Sequence, residues 1–140
     1  MTVTLRSGMD ITLACTGAIV AEVLVAAERL AADGIDATVV HFGTVKPFDA
    51  DALAAAAAAT GSLVTIEEHS IIGGLGSAAA EVLAEHGVSA RLRRLGLRDE
   101  FAHAVGSRTH LLDHYGLAAP QIATAADELL GLDRAAGSVA

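Results

Sequence analysis

A chain of 140 residues, 53% of them hydrophobic, is long enough to bury one core and too short for two ordinary domains. Its 9 basic against 17 acidic residues give a net charge of −8, which argues against a nucleic-acid backbone or an anionic membrane as the main partner. The single Cys15 excludes an internal disulfide, and no apolar run approaches the roughly 20 residues that a spanning helix needs, so a reducing cytoplasmic setting is expected.

Aromatic content of only 3%, with no Trp, leaves Ala, Val, Leu and Ile to build closely packed layers. Val3 and Leu5 alternate with Thr2, Thr4 and Arg6, a period-2 pattern suited to an edge strand, and Ser7-Gly8 breaks it. Ile11 to Cys15 is the first full strand. Thr16-Gly17 turns into a helix over about Ala18 to Ala32, with Val20, Val23, Leu24, Ala27 and Leu30 at helical spacing and Gly34 at the cap. Ala37 to Phe42 is the next strand. In the following loop Pro47 keeps Lys46 extended, and Asp49 is an N-cap for an alanine helix over Ala50 to Ala59.

After Gly61, the stretch from Ser62 to Gly76 changes character twice. Leu63, Val64 and Ile66 form a β-branched run of the kind that fills a central parallel strand, and that run is expected to stop at Glu67, Glu68 and His69. Gly73-Gly74-Leu75-Gly76 then leads into a helix opened by Ser77 and closed by Gly87. Val88 to Leu95 reads as a strand whose Arg91, Arg93 and Arg94 place it toward a sheet edge. A polar loop, a short helix over Arg108 to Tyr115 and a last helix over Pro120 to Leu130 complete a single domain over 1–132, with 133–140 as a frayed tail. This alternation implies an α/β class with a mostly parallel sheet between helices, and a site outside the carboxyl ends of its strands.

Four constellations compete with plain packing roles. Gly74-x-Gly76-x-x-Ala79 matches a dinucleotide fingerprint in letters, but Glu67 to Ile72 intervene after the strand, and Arg93 and Arg94 stand where a ribose-binding acid belongs. The Glu67-Glu68-His69 tip could work as acid and base, except that consecutive strand residues face opposite ways, so polar contact with a partner or a neighbouring loop fits better. His110 and His114 share a helical face at a metal-binding spacing with no third ligand evident nearby. Cys15 reads as a buried strand thiol rather than a nucleophile.

The order of motifs resembles the C-terminal domain of transketolase-like, thiamine diphosphate-dependent enzymes. The match takes in Asp10-Ile-Thr-Leu-Ala-Cys-Thr-Gly17, Gly34-Ile35 and Val45-Lys-Pro-Phe-Asp49. Its strongest block is Leu63-Val-Thr-Ile-Glu-Glu-His-Ser-Ile-Ile-Gly-Gly-Leu-Gly-Ser77. Arg94-Leu-Gly-Leu-Arg-Asp-Glu-Phe101, Gly106 and Tyr115-Gly-Leu117 follow in order. The resemblance implies a three-layer α/β/α domain with a five-stranded mixed, mostly parallel sheet whose first strand is antiparallel.

It further implies that thiamine diphosphate and Mg2+ belong to the assembled enzyme and not to this chain, because the family holds them in a diphosphate-binding and a pyrimidine-binding domain. Gly-Asp-Gly with a downstream Asn, the metal-diphosphate motif, does not occur among these residues. The expectation is therefore a stand-alone C-terminal subunit of a split enzyme, inactive alone, with a structural role in ketol transfer and a dimeric assembly. A Met1 start and a tapering tail favour a genuine subunit over an excised domain. The residues expected at the interface are Lys46, Pro47, Glu67, Glu68, His69, Gly73, Gly74 and Gly76. The alternative is a small anion- or nucleotide-binding regulatory module using the Gly73–Gly76 turn.

Overall fold

Strand β2 (Ile11–Cys15) is buried at all five positions and forms the centre of the sheet. It is flanked by β3 (Ala37–Phe42) and β4 (Ser62–Ser70), both parallel to it. The edges are β1 (Thr2–Arg6), antiparallel to β3, and β5 (Arg91–Leu97), parallel to β4, giving the order β1-β3-β2-β4-β5. The computed structural model describes residues 1–101 and 103–138, with side chains described through Gly131. Among the described residues no helix is long and apolar enough to cross a membrane.

The period of two along each strand sorts the core into two layers. Ile11, Leu13, Val39, Val64 and Ile66 face α1 (Val20–Ala32) and α5 (Ala119–Ser138). Ala14, Val40, Phe42 and Leu63 face α2 (Ala50–Thr60) and α3 (Leu75–Glu85). One 3-10 turn over Gly17–Ile19 precedes α1, and the short α4 (Arg108–His114) precedes α5. The three-layer architecture with an antiparallel first strand that the resemblance implies is thus present.

Alanine-rich α2 lies close to the sheet because little side chain separates them: Leu53 and Ala57 are fully buried, and the Thr12 hydroxyl donates to the Ala56 carbonyl at 3.0 Å. Asp49 caps this helix by accepting from the Ala52 N–H at 3.1 Å. At the other end of α1, Gly34 has φ of +79°. There the Ile35 N–H reaches the Leu30 carbonyl at 2.9 Å and the Gly34 N–H reaches that of Ala31 at 3.0 Å, a Schellman closure.

Several boundaries differ from the sequence reading. Strand β4 continues through Glu67, Glu68 and His69 to Ser70. Strand β5 begins at Arg91 instead of Val88, because the Val88 N–H is taken by the Leu83 carbonyl at 3.0 Å in the closure of α3. Helix α5 runs past Leu130 to Ser138. Of the expected frayed tail over 133–140, residues 139 and 140 lie outside the described residues, as do the side chains of 133–138.

Candidate interface at the carboxyl end of the sheet

Glu67 shares the strand parity of Leu63 and Thr65, so its side chain points under α3 and not toward solvent. It is 1% exposed. Oε2 accepts from the Leu75 N–H at 2.8 Å and Oε1 from the Gly76 N–H at 3.0 Å. Both donors belong to the first turn of α3, where backbone N–H groups have no partner within the helix and the helix dipole favours negative charge. A strand residue thereby caps a helix that its own N-cap, Gly74, leaves without a side-chain bond.

The glycines are spaced for this carboxylate. A Cβ on Gly74 would lie 2.0 Å from Glu67 Oε2. One on Gly76 would lie 3.0 Å from Thr65 Oγ1 and 2.9 Å from Arg94 Cδ, and one on Gly96 would lie 2.7 Å from Ile71 Cγ2. The regulatory module that would use the Gly73–Gly76 turn for an external anion is therefore corrected: its helix N–H groups already hold an internal one.

The turn before α3 closes on itself as well. Gly73, at φ of +76°, donates to Ser77 Oγ at 2.9 Å, and that hydroxyl donates to the Ile71 carbonyl at 3.0 Å. Arg94 Nη1 reaches the same carbonyl at 3.1 Å, and the Ile72 N–H donates to Ser70 Oγ at 3.2 Å. Arg94 and Ser77 were not among the expected site residues; an arginine on the neighbouring strand carries no local sequence signal for this contact.

The three ionisable residues of the tip part company. Glu68, on the opposite face from Glu67, pairs with Arg108 at the start of α4. His69 is exposed. It borders a cleft of about 380 Å³ with Lys46, Glu67, Ile72, Gly73 and Gly74. An adjoining cleft of about 340 Å³ is lined by Lys46, Pro47, Phe48, Gly73, Gly74 and Glu81, and the Lys46–Pro47 peptide bond is cis. Six of the eight expected residues thus meet at one end of the sheet. Glu68 faces away, and Gly76 is buried in the first turn of α3. Ile72, which was not singled out among the expected interface residues, is 63% exposed at the rim.

Elsewhere, the His110 and His114 rings stack with centroids 6.4 Å apart, and among the described residues no group of three His, Cys, Asp or Glu converges on a metal position. Cys15 is fully buried, and that burial pushes its thiol up to about 12, so it is not a nucleophile at neutral pH. The buried carboxylate at the sheet end is engaged by the first turn of α3, and among the described residues none of the His, Cys, Asp and Glu groups forms a set of three that could hold a cation.

Residues 2–122 match the family described as "Transketolase, C-terminal domain". The chain is 50% identical over 125 residues to the 6-deoxy-6-sulfo-D-fructose transketolase subunit of Clostridium sp. (strain MSTE9), covering 89% of this chain and 38% of that protein. It is 42% identical over 135 residues to the 1-deoxy-D-xylulose-5-phosphate synthase of Heliobacterium modesticaldum, covering 96% of this chain and 21% of that one. Among solved structures, a split gene transketolase in an inactive beta4 tetramer superposes with a TM-score of 0.87 at 40% identity, over 94% of this chain and 43% of that chain. The chain therefore spans less than half the length of each of these relatives. With the sheet order, the antiparallel first strand and the matched residues in agreement, it belongs to the transketolase C-terminal domain family.

Proposed function

We propose that the chain is the C-terminal subunit of a split, cytoplasmic transketolase-like enzyme, with a structural role in a dimeric assembly. Its partners are the diphosphate-binding and pyrimidine-binding components, which carry the catalytic centre. Thiamine diphosphate with Mg2+ supplies the electron sink for two-carbon ketol transfer when bound to those components. This chain contributes position and burial, and the exposed rim formed by Lys46, Pro47, His69, Ile72 and Gly73 is the docking surface.

The observation that carries this reading is the fate of Glu67. Glu67, the one buried carboxylate among the described residues, is tied to Leu75 and Gly76, which makes the most chemistry-rich stretch of the chain a scaffold for a rigid tip. Two further points support it. Relatives at 50% and 42% identity bear the names of different reactions, so what this domain gives each of them is something common to both, such as assembly. The solved split gene transketolase is an inactive beta4 tetramer, in keeping with a subunit that needs others.

Reconstitution tests the proposal. Ketol transfer should require this chain together with the diphosphate- and pyrimidine-binding components, and full activity without it would overturn the assignment. A Lys46→Glu, Ile72→Asp variant should bind those components at least about tenfold more weakly, the scale of a lost interface hot spot, while its unfolding midpoint stays unchanged.

A further inference from the structure

A second concave site borders β5 and Ile71, and its lining shares no residue with the rim formed by Lys46, Pro47, His69, Ile72 and Gly73. It is a cleft of about 310 Å³, with a polar lining from Arg94, Arg98, Glu100, His114 and Tyr115. Its volume is at the lower end for small-molecule sites, about 300 Å³ and upward.

Three features of this cleft point to an anion. In a chain of net charge −8 it gathers two guanidinium groups, which stay charged throughout the physiological pH range. Among the described residues neither Arg94 nor Arg98 forms an ion pair. Arg94 gives Nη1 to the Ile71 carbonyl, which holds its fork in place without neutralising it. The Tyr115 hydroxyl is buried with no hydrogen-bond partner, although buried phenols ordinarily find one. His114 meets the Tyr115 ring edge-on, with centroids 4.8 Å apart, and so helps to fix its direction. Among the described lining residues Glu100 is the only carboxylate, which leaves the two arginines in excess.

We propose that this cleft binds a phosphate group carried by a small molecule about the size of glycerol phosphate, with Arg94 and Arg98 on the phosphate oxygens and the Tyr115 hydroxyl turning out of its buried, unpartnered position to donate to one of them. Planar guanidinium forks suit phosphate because two N–H groups can meet two oxygens at once. Nothing in the proposal draws on the helix N–H groups of α3, which Glu67 already occupies.

The test is a titration of the full chain, followed by calorimetry and by amide shifts, with glycerol 3-phosphate, inorganic phosphate and glycerol as separate probes. The expected result is saturable binding of glycerol 3-phosphate, with shifts centred on Arg98 and Tyr115 and none from glycerol. Equal binding of inorganic phosphate would identify the free ion as the ligand; weaker binding would identify the ester, and either supports a phosphate site. Arg98→Ala should weaken binding about tenfold, the loss expected for one charge-assisted contact. Tyr115→Phe should weaken it severalfold with the fold retained, and Glu100→Gln should tighten it. No saturable binding of either phosphate probe, or binding unchanged in both Arg98→Ala and Tyr115→Phe, overturns the proposal.

Discussion

The Glu67 carboxylate meets the Gly76 N–H at 3.0 Å, across nine residues of sequence, from inside the sheet to the first turn of the helix that follows. Its other oxygen holds the Leu75 N–H at 2.8 Å. This contact joins the end of β4 to the start of α3 and sets the path of the Ile71–Gly74 turn between them. The exposed rim around Lys46, His69 and Ile72 is therefore shaped by a residue that is itself 1% exposed.

Replacing Glu67 should be costly. Glu67→Gln keeps the volume but turns an NH2 group toward an N–H donor, and Glu67→Ala leaves both donors buried without an acceptor. Each should lose about 2–4 kcal/mol, the range for a buried, charge-assisted cap, read as a shift in urea unfolding. A loss below about 0.5 kcal/mol would mean that solvent replaces the carboxylate freely, contrary to its burial.

Gly74 offers a sharper version of the same test. Its φ of −100° and ψ of −152° are open to any residue, so Gly74→Ala is opposed by the Glu67 carboxylate and not by the backbone. The alanine should cost more than about 1 kcal/mol in the native background and much less beside Glu67→Ala, a coupling that a double-mutant cycle measures directly. Simple additivity would show that the two residues do not share this space.

Much of the fold was legible because its signals are local. The β-branched run of β4, the alternation in β1 and the glycines at 34, 61 and 87 each announce an element or its end, and all three glycines take positive φ. What was not legible depended on partners distant in sequence. Three charged or polar residues in a row read as the end of β4, yet pairing with β5 carries the strand on to Ser70 opposite Leu97. Ser77 looked like the start of α3, but the helix begins two residues earlier because its acceptor is supplied from the strand. Parity held the clue: Leu63, Thr65 and Glu67 fall on one buried face, and a glutamate there needs donors, which the glycine turn provides.

Asp49 should show a pH effect of predictable sign. A hydrogen bond from Thr2 and, next, the one from the Ala52 N–H hold its carboxyl below the ordinary value of 3.8. The folded value lies below the unfolded one, so the stabilisation is complete above that ordinary value and is lost as pH falls below it. Asp49→Asn keeps an acceptor for the helix and removes the titration. Thermal unfolding at pH 7 and pH 3 should therefore separate the native chain from this variant more weakly at pH 3, and an equal gap at both would count against the cap.

Cys15 should respond at the alkaline end, with the opposite sign. Burial raises its thiol from 9.0 to about 12, so the folded state keeps a proton that the unfolded chain releases. Stability from this source is complete below pH 9.0 and declines as pH rises toward 12. Cys15→Ala should lose about 1 kcal/mol at pH 7 from the vacated space in the α1 layer and show a flatter decline between those limits. At neutral pH the native thiol should react with a disulfide reagent only as fast as the chain opens. Rapid stoichiometric labelling without unfolding would place the sulfur at the surface, in conflict with a residue that is fully buried in β2 beneath α1.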